Sequence, residues 1–280
     1  MDKQYALYIV NDNGLNLSSV KPELKADKEV VLAAVSNDGD ALDFAPELQA
    51  DREVVLAAVQ QNGKALKYAP ELQKDKDIVM AAVQQNGDAL QYAPNLQADR
   101  EVVLAAVSNY GKALELAPNL HADREVVLAA VSNYGLALEL ASNDLKADRD
   151  VVLAAVSNYG LALKFASNTL KADRDVVLAA VRSDGRALQY ASRELQADIE
   201  LKRVKDESNA KARQKIQEEI DELEGNYGNY NVIKNSKELN DKQSALRKEM
   251  QQYRGGSRRR TRRSKSRKSR KNSRRFKIAI

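Results

Sequence analysis

Any chemistry in this 280-residue sequence has to come from four sets of residues: a run of cations near the C-terminus, one histidine, a recurring aspartate and three aligned tyrosines. The cations are Arg258, Arg259, Arg260, Arg262, Arg263, Lys265, Arg267, Lys268, Arg270, Lys271, Arg274, Arg275 and Lys277, thirteen within residues 257–277 and with no acid among them. Like charges at that density repel one another and bury no core, so the segment is expected to be disordered and to bind a polyanion by phosphate contact and counterion release. Nine of the thirteen are Arg, which suits two-pronged phosphate contacts. No aromatic residue interrupts 257–275, so base stacking and sequence-specific reading are not indicated, and DNA and RNA are not distinguished. A nuclear-targeting signal, an acidic protein partner or a solubilising tail also fits the run. Ser257, Thr261, Ser264, Ser266, Ser269 and Ser273 are interleaved with the cations, as in arginine–serine segments and sites of basic-directed kinases. Each phosphate would add about −1.5 to −2 charges, enough in sum to oppose the whole run.

The other three sets point away from catalysis. His121 occupies a slot that holds Lys25, Gln49, Gln73, Gln97, Lys146, Lys171 and Gln196 elsewhere, so it is expected to be an exposed loop residue. Asp27, Asp51, Asp75, Asp99, Asp123, Asp148, Asp173 and Asp198 resemble a ladder of carboxylates, but each opens an apolar run and reads as a helix N-cap. Metal binding would need converging ligands, whereas one acid per layer is spaced about 8–10 Å from the next. Tyr110, Tyr134 and Tyr159 each precede a glycine where other units have Asp38, Asn62, Asn86 and Asp184. They are expected to form a column along one edge, read either as tolerated surface variation or as a partner-binding strip. No nucleophile–base set, glycine-rich phosphate loop or cofactor motif occurs, and a non-enzymatic protein without cofactors is expected.

These slots exist because the sequence is an array. The aspartates are spaced 24, 24, 24, 24, 25, 25 and 25 residues apart, and Asp2 opens a divergent first unit. Eight repeats therefore cover residues 2–197. In each, a capped run such as Asp51-Arg-Glu-Val-Val-Leu-Ala-Ala-Val59 predicts a helix buried on more than one side, closed by Gly63 as a left-handed C′ residue. Lys64–Ala69 predicts a second, shorter helix, and Pro70 redirects the chain. Ser142, Ser167 and Ser192 replace that proline in the 25-residue units, and the added residue should alter the loop and the superhelical twist. Tyr5 and Tyr8 replace Val and Ala in the first unit, as at the free end of a stack. The expected fold is all-α: an α-solenoid of eight 24–25-residue helix-turn-helix repeats over 1–197, a charged helical hairpin or short coiled coil over 198–254, and a flexible basic tail over 255–280. In the middle section Leu201, Val204, Ile216, Ile220 and Leu223 line a long helix. Leu239, Leu246, Met250 and Tyr253 line a second, across a Gly225–Tyr230 turn. The two stripes pair within one chain or as a dimer through 199–253.

The pattern D-[RK]-[ED]-V-V-L-A-A-V-x-x-x-G-x-A-L-x-x-A resembles the repeats of a domain-of-unknown-function family, number 4116, over about residues 2–197. Those are α-helical tandem repeats found in giant DNA viruses and some protists. The resemblance implies an α-solenoid and a viral origin, and it brings no catalytic residues.

Composition bounds the rest. The chain holds 45 Lys+Arg against 40 Asp+Glu, a net of +5, so with thirteen cations in the tail the remainder stands at −8. Residues 1–197 alone hold 20 Lys/Arg and 28 Asp/Glu, with no recurring basic stripe, which disfavours a solenoid that itself reads nucleic acid. The absence of Cys excludes disulfides, thiolate zinc sites and Cys nucleophiles. The longest apolar runs are six residues, far short of the roughly 20 that span a bilayer, and MDKQYALYIV does not read as a signal peptide. An intracellular protein is expected, in nucleus, cytoplasm or virion, with a protein partner on the array and nucleic acid on the tail.

Overall fold

The computed structural model describes residues 2–225 and 236–253, with side chains placed through 223 and again from 241. Eight helices of ten residues each form the body: α1 (Lys3–Asp12), α2 (Lys28–Asn37), α3 (Arg52–Gln61), α4 (Lys76–Gln85), α5 (Arg100–Asn109), α6 (Arg124–Asn133), α7 (Arg149–Asn158) and α8 (Arg174–Ser183). Each packs on the next, and a second rank of shorter segments stacks beside them. Repeat 3 shows why. Asp51 has extended backbone and accepts from the amides of Glu53 and Val54 at 3.0 and 3.2 Å, which starts α3. Val54, Val55, Ala58 and Val59 are fully buried, facing both the preceding repeat and the inner rank. Asn62 returns to extended backbone and ends the helix, and its side chain accepts from Lys64 N at 3.1 Å to start the next segment.

That next segment differs from expectation. Gly63–Tyr68 is a 3-10 helix, as are its counterparts in the other repeats, and Pro70–Leu72 makes a further 3-10 turn. The seven residues between the Asn62 cap and Pro70 fall short of two full α-turns, and the tighter coil puts Ala65, Leu66 and Ala69 into the core. Gly63 is not a left-handed C′ residue either, because no described glycine has a positive φ. It is required by close approach: a Cβ on Gly63 would lie 2.2 Å from the carbonyl oxygen of Ala82 in α4. The glycine lets each 3-10 rank press against the following helix.

The serine-bearing repeats gain a bond that proline cannot make. Ser142 N, Ser167 N and Ser192 N donate to His121 O, Lys146 O and Lys171 O of the preceding repeat, each at 2.8 Å. Ser167 and Ser192 also cap short helical turns, Asn168–Lys171 and Arg193–Ala197.

Beyond Asp198 the array continues for one more layer, where the sequence suggested that the repeat dissolved. Asp198 accepts from Leu201 N at 2.9 Å, Leu201 is fully buried, and Gly185 N donates to Ser208 Oγ at 3.1 Å. The first turns of α9 (Ile199–Gly225) therefore occupy the place of a ninth repeat helix. Asn209-Ala210-Lys211 stands where repeat 3 has Asn62-Gly63-Lys64, and there α9 runs on unbroken where α3 ends at an extended Asn62. It then pairs with α10 (Ser236–Gln252), antiparallel, through Ile216, Ile220 and Leu246 with Leu223, Met250 and Tyr253 against them. Arg213 Nη1 donates to Tyr253 O at 3.1 Å and fastens the end of α10 to the middle of α9. The intrachain hairpin thus forms as read, with the side chain of Leu239 and the 226–235 turn lying outside the described residues.

Candidate functional site

The edge carrying the C-terminal ends of the long helices is where the repeats differ most. Tyr110, Tyr134 and Tyr159 sit there in file, lying across Gly87, Gly111 and Gly135 of the preceding repeats. Tyr110 and Tyr134 are 38% and 36% exposed, and Tyr159 is half-buried. In the other repeats this slot has a capping job: Asp38, Asn86 and Asp184 accept from the amides of Asp40, Asp88 and Arg186 at 2.8–3.0 Å. The tyrosines make no such cap. After two of them, Leu136 and Leu161 stand where other units have Asp40, Lys64, Asp88, Lys112 and Arg186, as Leu15 does in the first unit.

Behind the strip runs a ladder of amide side chains that sequence reasoning missed. Gln85 Oε1 accepts from Gly63 N at 2.6 Å while Gln85 Nε2 donates to Gln61 O at 3.2 Å, tying repeat 4 to repeat 3 by both ends of one group. Asn37, Gln61, Asn109, Asn133 and Asn158 do the same, and Ser183 and Ser208 keep only the accepting half. The signal was present: the residue two before each glycine is Asn or Gln in six successive repeats.

The opposite edge holds the aspartates, which act as caps as read. Their second role was not anticipated. The cation that follows each cap reaches across to the next repeat: Arg100 to Asp123 and Glu125 at 2.7 and 2.6 Å, Arg124 to Asp148 and Asp150 at 2.7 and 2.8 Å. The series runs unbroken from Lys3 to Arg174. A hydrogen bond from the Arg100 side chain, helped by the Val126 amide, holds the Asp123 carboxyl below the usual carboxylate range. Lys3, Lys28, Lys76 and Arg124 do the same to Asp27, Asp51, Asp99 and Asp148. His121 departs from its expected exposure. It is half-buried, and its Nε2 lies 3.0 Å from Leu114 O, the bond that Gln49, Gln73 and Gln97 make to Leu42, Leu66 and Leu90. A carbonyl only accepts, so Nε2 carries the proton. The slot favours side chains that can donate back across the loop.

At the C-terminal end the two edges meet the hairpin. Arg186 donates to both oxygens of Asp184, reaches Gln252 Oε1, and stacks 4.5 Å from the Tyr253 ring. The thirteen tail cations and Ser257, Thr261, Ser264, Ser266, Ser269 and Ser273 lie outside the described residues.

With the repeat geometry established, its relatives can be placed. The family described as Domain of unknown function (DUF4116) matches at residues 2–49, 51–97, 89–121, 99–146, 123–171 and 148–196. The chain belongs to this family. Most DUF4116 matches span two successive repeats, and they end at residue 196, just before Asp198 caps α9. No curated protein and no solved structure matches the chain. Among the described residues, no helix is long and apolar enough to cross a membrane.

Proposed function

We propose that this protein is a non-enzymatic scaffold that docks a protein partner along Tyr110, Tyr134 and Tyr159 and holds nucleic acid, without sequence preference, through its basic tail. The observation that carries the reading is how the cations are allotted. In the array the recurring cation of every repeat is engaged by two acids of the next, so the body has no recurring free positive charge to follow a phosphate backbone. The thirteen cations of 257–277 have no acid within the segment. Phosphate binding therefore falls to the tail, and the aromatic strip is left to a protein. In a viral setting such a pair of surfaces suits a virion or genome-associated factor.

A mobility-shift titration of full-length protein against a 1–256 truncation tests this reading. If six to ten tail cations contact phosphate, the affinity of the full chain should fall about 10³–10⁵-fold between 50 and 200 mM salt. The truncation should lose most of the binding. Equal binding by both proteins would move the site to the solenoid and support the nucleic-acid-reading alternative. Nuclear import that depends on the tail, without any nucleic-acid affinity, would leave it as a targeting signal.

A further inference from the structure

The end of the array differs from its body in the company its cations keep. Where repeat 8, α9 and the last turn of α10 meet, a cleft of about 410 Å³ opens. Arg186, Gln189, Lys202, Lys205, Asn209 and Gln252 line it, and no Asp or Glu is among its lining residues. Lys202 and Lys205 stand three residues apart on α9 and so share one face of that helix. Lys202 gives one proton to Ala197 O at 2.9 Å and keeps two. Lys205 is half-buried, and among the described residues no acid pairs with it. This contrasts with the recurring cations of α1 to α8, each of which meets a pair of carboxylates. Arg186 is fixed by Asp184 and Tyr253, and by donating to Gln252 Oε1 it leaves the N–H₂ end of that amide to donate elsewhere. The rim is thus rich in donors and free of carboxylates, and its volume falls within the roughly 300–1,000 Å³ of small-molecule sites.

We propose that this cleft is a phosphate seat, which takes a backbone phosphate of the nucleic acid held by the tail, with Lys202 and Lys205 as the charged contacts and Gln252 as a neutral donor. The proposal rests on the tail reading and deepens it, because the chain enters the tail from the cleft itself. Gln252 is on its rim, and Arg258 follows Tyr253 by five residues, a span of at most about 18 Å. A strand bound along the first tail cations can therefore continue into the cleft. A free phosphorylated molecule would use the same donors, so the experiment separates the two sources.

The measurement is fluorescence anisotropy of a 20-nucleotide single strand with three full-length proteins: the parent, Lys202→Gln with Lys205→Gln, and a chain whose thirteen tail cations are changed to Gln. Unchanged circular dichroism of the lysine variant guards against misfolding. The lysine variant should bind about 5–10-fold more weakly, with a salt slope smaller by one to two. The tail-neutral protein should retain weak binding, and adding the two lysine changes should remove it. Parental affinity and slope in the lysine variant, with no binding by the tail-neutral protein, overturn the cleft and leave the tail reading standing. Undiminished binding by the tail-neutral protein overturns the tail reading, and with it the shared strand. No binding by the parent overturns both. Calorimetry of the tail-neutral protein with inorganic pyrophosphate at constant ionic strength is the last arm. Tight, lysine-dependent binding there, without strand binding, would assign the cleft to a free phosphorylated ligand and overturn the backbone assignment.

Discussion

A cap aspartate in this protein answers to two partners, its own helix amides and the cation of the repeat before it, and the second makes it sensitive to pH. The carboxyls of Asp27, Asp51, Asp99, Asp123 and Asp148 are all held below the usual range, chiefly by that cation. A depressed folded value stabilises the protein above the unfolded value and loses that contribution as pH falls through the folded one. Thermal melts should therefore be level between about pH 7 and 5 and should decline below about pH 4. Arg100→Ala and Arg124→Ala together should make the decline shallower, and a slope equal to that of the parent would show that the cations contribute nothing to it. His121 offers a second residue-scale test. His121→Gln should be near-neutral in urea unfolding, because Gln73 and Gln97 already make the same bond in their repeats. His121→Ala should cost about 1 kcal/mol, the ordinary worth of a hydrogen bond.

Between elements, the deciding quantity is how closely a 3-10 rank approaches the next helix. A Cβ on Gly111 would sit 2.4 Å from Ala130 O, a backbone atom that cannot move without shifting α6. Gly111→Ala should then destabilise by about 1–3 kcal/mol, as overpacking does elsewhere. Lys112→Ala, one residue on and exposed, should change stability by less than about 0.5 kcal/mol. Chemical denaturation of both variants is the check, and equal midpoints would mean that the contact is slack. The same close approach explains why α9 terminates the stack. It presents Asn209 and the Lys205 carbonyl to Gly185 as any repeat helix would, and then, with Ala210 in place of glycine, it never turns to offer a 3-10 rank to a tenth layer. The hairpin that follows covers its own apolar stripe, so the array ends in a finished surface.

For the whole molecule, the sequence divides into residues 1–256 at −8 and a stretch beyond them with thirteen cations, and the two should respond to different perturbations. Changing Ser257, Thr261, Ser264, Ser266, Ser269 and Ser273 to Glu adds six negative charges to the tail. Nucleic-acid affinity should fall in part and its salt slope should shrink, while the melting temperature of the array stays unchanged. Parental binding at 150 mM salt would reduce the hydroxyls to spacers. Val131→Asp should do the reverse. It buries a charge in the middle of the stack, in a residue that is 0% exposed, and so should break the array's cooperativity into two transitions while tail binding persists.

What the sequence determined by itself is what lies within one turn of chain. The aspartate caps, the apolar runs and the 24–25-residue period were legible because a cap bonds two or three residues ahead and a buried helix shows in its own residue types. The pairing of Ile216 and Ile220 with Leu246 was legible for the same reason, as two apolar stripes on adjacent helices. Only the tertiary structure decided the rest. Gly63 had two local explanations, a left-handed cap or a close approach, and only the neighbouring carbonyl of Ala82 chooses between them. The amide ladder, the cation ladder and the serine bonds join residues 21–26 positions apart, where type is visible but partnership is not. Residues 199–209 have lost the repeat's signature of valines and alanines, yet they fill a ninth layer, because what the stack requires there is a capped helix with Leu201 inside and a carbonyl that meets Gly185. Backbone geometry meets those needs with many side chains, so the ninth layer is written in position rather than in composition.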